Sequence, residues 1–217
     1  MKLYAHPFSS YCQKALIALY ENGTAFDYCM LGSGHAEIDA EHAALWPIKR
    51  FPLLQDGQQT VMEASIIIEH LALHHPGPVA LLPQHASAAL QVRLLDRFFD
   101  NYIMTPMQKI VFDCLRPEAS QDAFGVAEAR QMLETAYAWI DQTLEGREWA
   151  DGGDFSLADC AAAPALFYAD WVQPIADRYQ RLRAYRQRLL ARPSFARAVD
   201  EARPYRAYFP PGAPDRD

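Results

Sequence analysis

Strand-forming patterns are confined to the first 80 of the 217 residues, and everything beyond about residue 86 reads as helix. Lys2–Ala5, Ala25–Leu31, Leu53–Gln55 and Thr60–Met62 are short apolar runs of strand length, the last two flanking a hairpin signal at Asp56-Gly57. Between them the spacing predicts helices over Cys12–Asn22, Ala36–Leu45 and Glu63–His74. The first carries Ala15, Leu16, Leu19 and Tyr20 on one face and Gly23 as its C-cap. The later helices are predicted over Leu90–Leu115, Gly125–Leu144, Leu157–Trp171, Ile175–Ala191 and Phe195–Ala202, with Pro164 expected to kink the third. A proline- and alanine-rich stretch, 76–87, reads as the linker, and the tail 210–217 is expected to be disordered. The order predicts a small α/β domain over residues 1–80 followed by an all-α domain over 81–217.

Charge narrows the function classes. Twenty Lys and Arg against 27 Asp and Glu leave a net charge of −7, which disfavours a general nucleic-acid binder. Residues 178–206 hold nine arginines against only Asp200 and Glu201. They lie among apolar positions with no aromatic pattern suited to stacking bases, so the solvated faces of terminal helices are the better reading. No apolar stretch approaches the roughly 18 residues of a membrane span, and the first residues lack a signal-peptide core, so the expected location is cytoplasmic with no membrane partner.

The four cysteines, Cys12, Cys29, Cys114 and Cys160, form no C-x-x-C pair and fit a reducing compartment. His70 and His74 share a helix face at i, i+4, but no H-E-x-x-H glutamate accompanies them, and no metal is expected.

Three short segments carry chemistry. Pro7-Phe8-Ser9-Ser10-Tyr11-Cys12 lies between a strand and a helix start, where free N–H groups and the helix dipole favour an anion. A serine there can cap the helix, donate to a bound thiolate or act as a nucleophile; no local His or Asp supports a hydrolase triad. Phe51-Pro52-Leu53-Leu54 places a proline directly before a buried strand, which invites a cis peptide or simply opens an edge strand. Glu63-Ala64-Ser65 puts an acid and a hydroxyl at a helix start, suited to capping or to holding the amino-acid end of a γ-glutamyl peptide.

Taken in order, these motifs resemble the cytosolic glutathione transferases over nearly the whole chain. Ser9-Ser10-Tyr11-Cys12 falls at the family's active-site loop, Phe51-Pro52-Leu53 matches its cis-proline motif, and Glu63-Ala64-Ser65 matches its acid-then-serine motif. Phe155-Ser156-Leu157-Ala158-Asp159 matches its folding box, with Ser156 and Asp159 as a capping pair. The resemblance implies a thioredoxin-like domain joined to a helical bundle, glutathione as co-substrate, a small hydrophobic electrophile and a two-fold homodimer. It implies Ser9 or Ser10 as the thiol-activating residue. Phe51 and Pro52 would offer backbone to the cysteinyl part, Arg50 would take the glycyl carboxylate, and Glu63, Ala64 and Ser65 would hold the γ-glutamyl end. Leu90, Leu94, Arg97 and Phe98 share a helix face that could meet its copy.

The departures keep alternatives open. The family's Asn-Pro-x-Gly-Lys-Val-Pro appears as Trp46-Pro47-Ile48-Lys49-Arg50-Phe51-Pro52, with Arg50 in place of lysine. The tyrosine of the tyrosine classes would fall near Ala5, with Tyr4 on the opposite strand face. Conjugation is the leading expectation. Thiol–disulfide exchange through Cys12, maleyl-type isomerisation and a non-catalytic binding role are the alternatives. Tyr102, Met104, Met107, Phe112 and Trp171 are the expected walls of the electrophile pocket, or else core.

Overall fold

A computed structural model describes all 217 residues. Four strands, β1 (Lys2–Ala5), β2 (Asp27–Met30), β3 (Leu53–Asp56) and β4 (Gln59–Met62), form one mixed sheet in the order β2-β1-β3-β4. β1 and β2 are parallel because helix α1 (Ser10–Glu21) crosses between them. β3 and β4 form a hairpin on the two-residue turn Gly57-Gln58, and Gly57 takes the positive φ of 60° that the turn requires.

Alternation along the strands divides the sheet into two faces. Leu3, Ala5, Leu54 and Val61 pack under α1 and helix α3 (Ala64–His74), against Leu16, Leu19, Ile67 and Leu71. Tyr4, Leu31 and Leu53 face the other way, toward helix α2 (Ala36–Leu45). Tyr4 thus points away from the Ala5 face, as the strand period requires.

Six helices follow: α4 (Ala86–Phe98), α5 (Thr105–Asp113), α6 (Ala123–Thr143), α7 (Leu157–Val172), α8 (Gln180–Ala191) and α9 (Pro193–Ala202). α7 is the axis of this half, with every residue buried except the half-buried Trp171. Its alanines, from Ala158 to Ala169, let neighbouring helices approach closely. Its start is fixed by the expected capping pair, in which the Ser156 N–H and hydroxyl both donate to Asp159 Oδ2 at 2.9 and 3.0 Å. Asp159 Oδ1 accepts from the Ala150 N–H (2.8 Å) and the Tyr185 hydroxyl (2.6 Å), so the buried carboxylate is fully used. Ile17, Ala18 and Ile68 of the sheet half belong to the same continuous core as α7.

Three expectations are corrected. The single helix expected over 90–115 is interrupted by a wide π-type segment, Phe99–Met104. Pro106 has no N–H to give the Tyr102 carbonyl, and the chain widens just before it, with the Thr105 N–H and hydroxyl both reaching the Asp100 carbonyl. The helix expected from Ile175 begins at Gln180, because Asp170 captures the Ile175 N–H at 2.8 Å and holds a turn. The tail 210–217 is anchored: Asp217 pairs with Arg203 (2.6 Å) and Arg206, and Arg216 pairs with Asp170.

The basic stretch 178–206 is largely neutralised within the chain. Arg192 meets Glu21 (2.6 Å), Arg181 meets Glu145 (2.7 Å), Arg197 meets Glu201 (2.8 Å), and Arg178 meets Glu134. No helix is long and apolar enough to cross a membrane.

Candidate functional site

A cleft of about 660 Å³ runs between the two halves. One wall is the loop from β1 to α1, the segment before β3 and the start of α3; the other comes from the π segment, α5 and the chain after α9. Ser9, Ser10, Arg50, Phe51, Pro52, Glu63 and Ala64 all line it, so residues scattered over 56 positions of sequence converge on one space.

Ser9 is the N-cap of α1. Its backbone is extended (φ −82°, ψ 124°), and its Oγ accepts from the Cys12 N–H at 3.4 Å, a long cap. Gln13 N–H closes the first helical bond to the Ser9 carbonyl at 2.9 Å, which leaves the Ser10 and Tyr11 N–H groups without backbone partners. The cleft therefore meets a serine hydroxyl and unpaired helix N–H groups at one point, a setting that stabilises negative charge. Ser10 is the more buried of the two serines. Tyr11 borders the cleft as well, and burial raises its phenol above the ordinary range.

Cys12 points into the sheet core. It is fully buried, and desolvation pushes its thiol up to about 12 despite Ser9 beside it.

The Phe51–Pro52 bond is cis, and Phe51 is exposed beside Pro52 in the cleft wall. His42 Nε2 bonds the Arg50 carbonyl at 3.0 Å and fixes the approach to this peptide. Glu63 occupies the left-handed region (φ 69°), rare for a residue with a side chain, immediately before α3. The turn leaves its carboxylate exposed in the cleft, and the Ala64 and Ser65 N–H groups at the helix start have no backbone partners.

Ser65 differs from the other candidates, because its side chain turns away from the cleft. Its hydroxyl donates to Asp96 Oδ2 (2.9 Å) and accepts from Lys14 Nζ (2.9 Å) and from Arg97. Lys14, 1% exposed, also pairs with Asp96 (2.6 Å) and Asp100 (2.8 Å). Burial raises the Asp100 carboxyl, and Lys14 opposes that rise. Asp100 borders the cleft and keeps one buried oxygen, Oδ1, without a partner.

Sequence reasoning missed Arg97 and Asp100 as site residues, along with Tyr168, Tyr208 and Phe209 of the far wall. One signal was available: Lys14 sits among Cys12, Ala15, Leu16 and Ile17, so it needed acidic partners, and Asp96 and Asp100 share a face at i, i+4. Of the expected apolar walls, Met107 and Phe112 line the cleft. Met104 is instead buried in the core, Tyr102 packs against Phe98, and Trp171 lies behind Phe8 and Phe209. For Tyr102 and Met104, which lie within it, the π segment explains the difference, since its wider turn shifts the phase that a 3.6-residue period assigns.

A second hollow of about 560 Å³, between α1, the approach to β2 and α9, offers no comparable convergence. Its Arg197 is spent on Glu201 and on the Tyr20 ring 3.9 Å away.

Residues 3–79 match the glutathione S-transferase N-terminal domain and residues 123–188 the glutathione S-transferase C-terminal domain. The fold is similar to that of a glutathione S-transferase from Methylobacterium radiotolerans crystallised with glutathione sulfonate. That likeness has a TM-score of 0.77 and 31% identity, over 91% of this chain and 93% of the other. A maleylpyruvate isomerase from a Ralstonia species is 27% identical over 94% of this chain and 99% of its own. A stringent starvation protein A homolog from Coxiella burnetii is 27% identical over 77% of this chain and 75% of its own. Matches to both halves, joined by full-length likeness to a transferase of known structure, mean that the chain belongs to the glutathione transferase family.

Proposed function

We propose that the protein is a glutathione transferase that ionises the thiol of glutathione at the N-terminus of α1 for attack on a small apolar electrophile. The observation that carries this reading is the convergence of the Ser9 hydroxyl with the unpaired Ser10 and Tyr11 N–H groups, beside the cis Phe51–Pro52 peptide, in a cleft without an accessible cysteine. A free thiol near pKa 8.5 is only about 3% ionised at pH 7. Lowering it by about two units favours the thiolate by roughly 2.7 kcal/mol. The remaining acceleration comes from holding the two reactants together.

In this reading glutathione lies along the sheet-side wall. Glu63 and the unpartnered Asp100 Oδ1 face its ammonium group, and the Ala64 and Ser65 N–H groups face its α-carboxylate. Phe51 offers its backbone to the cysteinyl unit, and Arg50 takes the glycyl carboxylate. Met107, Val111, Phe112 and Phe209 supply apolar surface for the electrophile. The crystallised Methylobacterium relative supports glutathione as the ligand.

Thiol–disulfide exchange is disfavoured, because Cys12 is fully buried, lies outside the cleft lining, and is held in its protonated form by desolvation. Isomerisation of a maleyl-type diacid is the second reading. The Ralstonia relative suggests it, and the exposed cations Lys49 and Arg50 at the cleft suit a substrate with two carboxylates.

The functional partner is a second copy. Ile66, Leu73, Leu90 and Leu94 are exposed on α3 and α4, around the Glu69–Arg93 pair that links the two helices, and form an apolar face suited to a two-fold dimer.

The deciding experiment follows thiolate absorbance of bound glutathione against pH, alongside turnover of an aryl halide and of a maleyl diacid. A bound thiol ionising near pH 6–7, with aryl-halide turnover, supports conjugation. Diacid turnover alone supports isomerisation, and failure to bind glutathione removes both.

A further inference from the structure

At the end of the sheet half remote from the cleft, three ligating side chains meet at one point. Asp56 closes β3 at the hairpin, His70 lies in the last turns of α3, and His75 is its C-cap. The Nε2 atoms of His70 and His75 stand 3.0 and 2.5 Å from the same oxygen, Asp56 Oδ2, and all three ligand atoms fall within 4.8 Å of one another. His70 is buried, whereas Asp56 and His75 are partly open, so the cluster has a packed floor and a solvent-facing mouth.

The helical spacing of His70 and His74 suggests no complete metal site, because the sequence alone does not show what stands opposite. The fold supplies the missing acid 14 residues upstream, from the hairpin, and replaces His74 by His75 as the second imidazole. The His74 ring instead lies against His70, with centroids 4.5 Å apart.

We propose that Asp56, His70 and His75 form a three-ligand site for a borderline divalent cation of the zinc type, with the fourth position open to water. Two imidazole nitrogens and one carboxylate are the donor set such ions prefer. Bonds of about 2.0–2.2 Å in tetrahedral geometry separate the ligand atoms by about 3.3–3.5 Å. The two histidine–aspartate contacts therefore open by about 0.3–1 Å, within reach of a side-chain rotation of the partly open Asp56 and His75. Both histidines already direct Nε2 toward the Asp56 carboxylate. The bound ion clips the tip of the β3–β4 hairpin to the end of α3. These elements follow Pro52 and Glu63 at their other ends, so the clip braces the cleft wall from behind without touching it.

The test uses the full chain, stripped with a chelator and titrated with Zn²⁺ by calorimetry in thiol-free buffer. One equivalent is expected, with a dissociation constant of about 10 μM or tighter. His75→Gln and His70→Gln should each weaken it about 100-fold or more, while His74→Gln changes it less than about threefold. Co²⁺ should give a visible ligand-field band in the wild type that both ligand variants lose. If His70→Gln fails to fold, the half-exposed His75→Gln and the Co²⁺ spectrum carry the test. No Zn²⁺ uptake at about 100 μM, uptake unchanged in His75→Gln, or loss in His74→Gln instead would overturn the assignment.

Discussion

The Tyr168 hydroxyl on α7 donates to the Phe8 carbonyl at 3.0 Å, so the loop bearing Ser9 is fastened to the helical half of the chain. Gln13 Nε2 completes the junction, donating to the Pro7 carbonyl at 3.0 Å and to Tyr168 Oη at 3.1 Å. Tyr168→Phe leaves the ring in place and strips the Phe8 carbonyl of its donor. The expected loss is about 1–3 kcal/mol of unfolding free energy, measured by denaturant titration, with a higher KM for glutathione as the loop loosens. Unchanged stability would mean that the hydroxyl is not structural.

Ser9→Ala removes the hydroxyl but not the helix N–H groups. Bound glutathione should then ionise at higher pH, and aryl-halide conjugation should slow by about 10–1,000-fold. Cys12→Ala should leave the reaction nearly intact. The opposite pattern, activity lost with Cys12 and kept without Ser9, would make thiol exchange the better mechanism.

The Ser65 hydroxyl is committed to Asp96, Lys14 and Arg97, so Ser65→Ala should act mainly on stability, costing about 1–3 kcal/mol. Glutathione affinity should change by less than about fivefold, because the Ser65 N–H survives. Lys14→Met should cost more, about 3–5 kcal/mol, since two buried carboxylates lose their buried cation and keep only the half-exposed Arg97. Calorimetric binding constants and melting curves for the two variants separate the effects.

Cys12 makes alkaline stability pH-dependent. Its thiol is neutral in the fold up to about pH 12, while in the unfolded chain it ionises near 9. The unfolded state therefore sheds the proton first, and the thiol's contribution, complete below pH 9, falls away between pH 9 and 12 by up to about 1.4 kcal/mol per unit. Cys160, also fully buried and raised by desolvation, acts in the same direction. Cys12→Ala should lessen the loss measured between pH 9 and 10, where the tyrosines raised by burial add a fall of their own as the unfolded chain nears their ordinary value of 10. In the wild type, iodoacetamide at pH 8 should label exposed Cys114 and spare Cys12 and Cys160.

Leu94→Glu and Leu90→Glu place charge on the apolar face of α4, where both leucines are more than half exposed. If that face joins two copies, sedimentation at micromolar concentration should show a dimer for the wild type and monomers for the variants. A wild-type monomer would remove the dimer from the reading.

The positions of the sheet elements were legible because each is short, apolar and bounded by glycine, proline or a cap, and β1, α2 and the hairpin lie within a residue or so of expectation. The convergence of Ser9, Phe51 and Glu63 was legible through motifs in a known order. What sequence did not disclose depends on distant partners or on phase. Ser65 looked like a ligand-facing hydroxyl until the buried Lys14 claimed it, and Met104 looked like a pocket wall until the π segment rotated it into the core. The tail looked unstructured because its anchors, Asp170 and Arg203, are charges remote from it in the chain.

Lys14 gives the architecture a direction of dependence. An ammonium group fully enclosed in α1 has its counter-ions on α4 and the turn after it, so the sheet half encodes a cation whose neutralisation is written in the helical half. Recombination between relatives at the linker would therefore inherit an electrostatic debt unless both sides of that junction came from the same parent. Chimaeras of this fold should be cut beyond Asp100, so that the lysine and its two acids travel together.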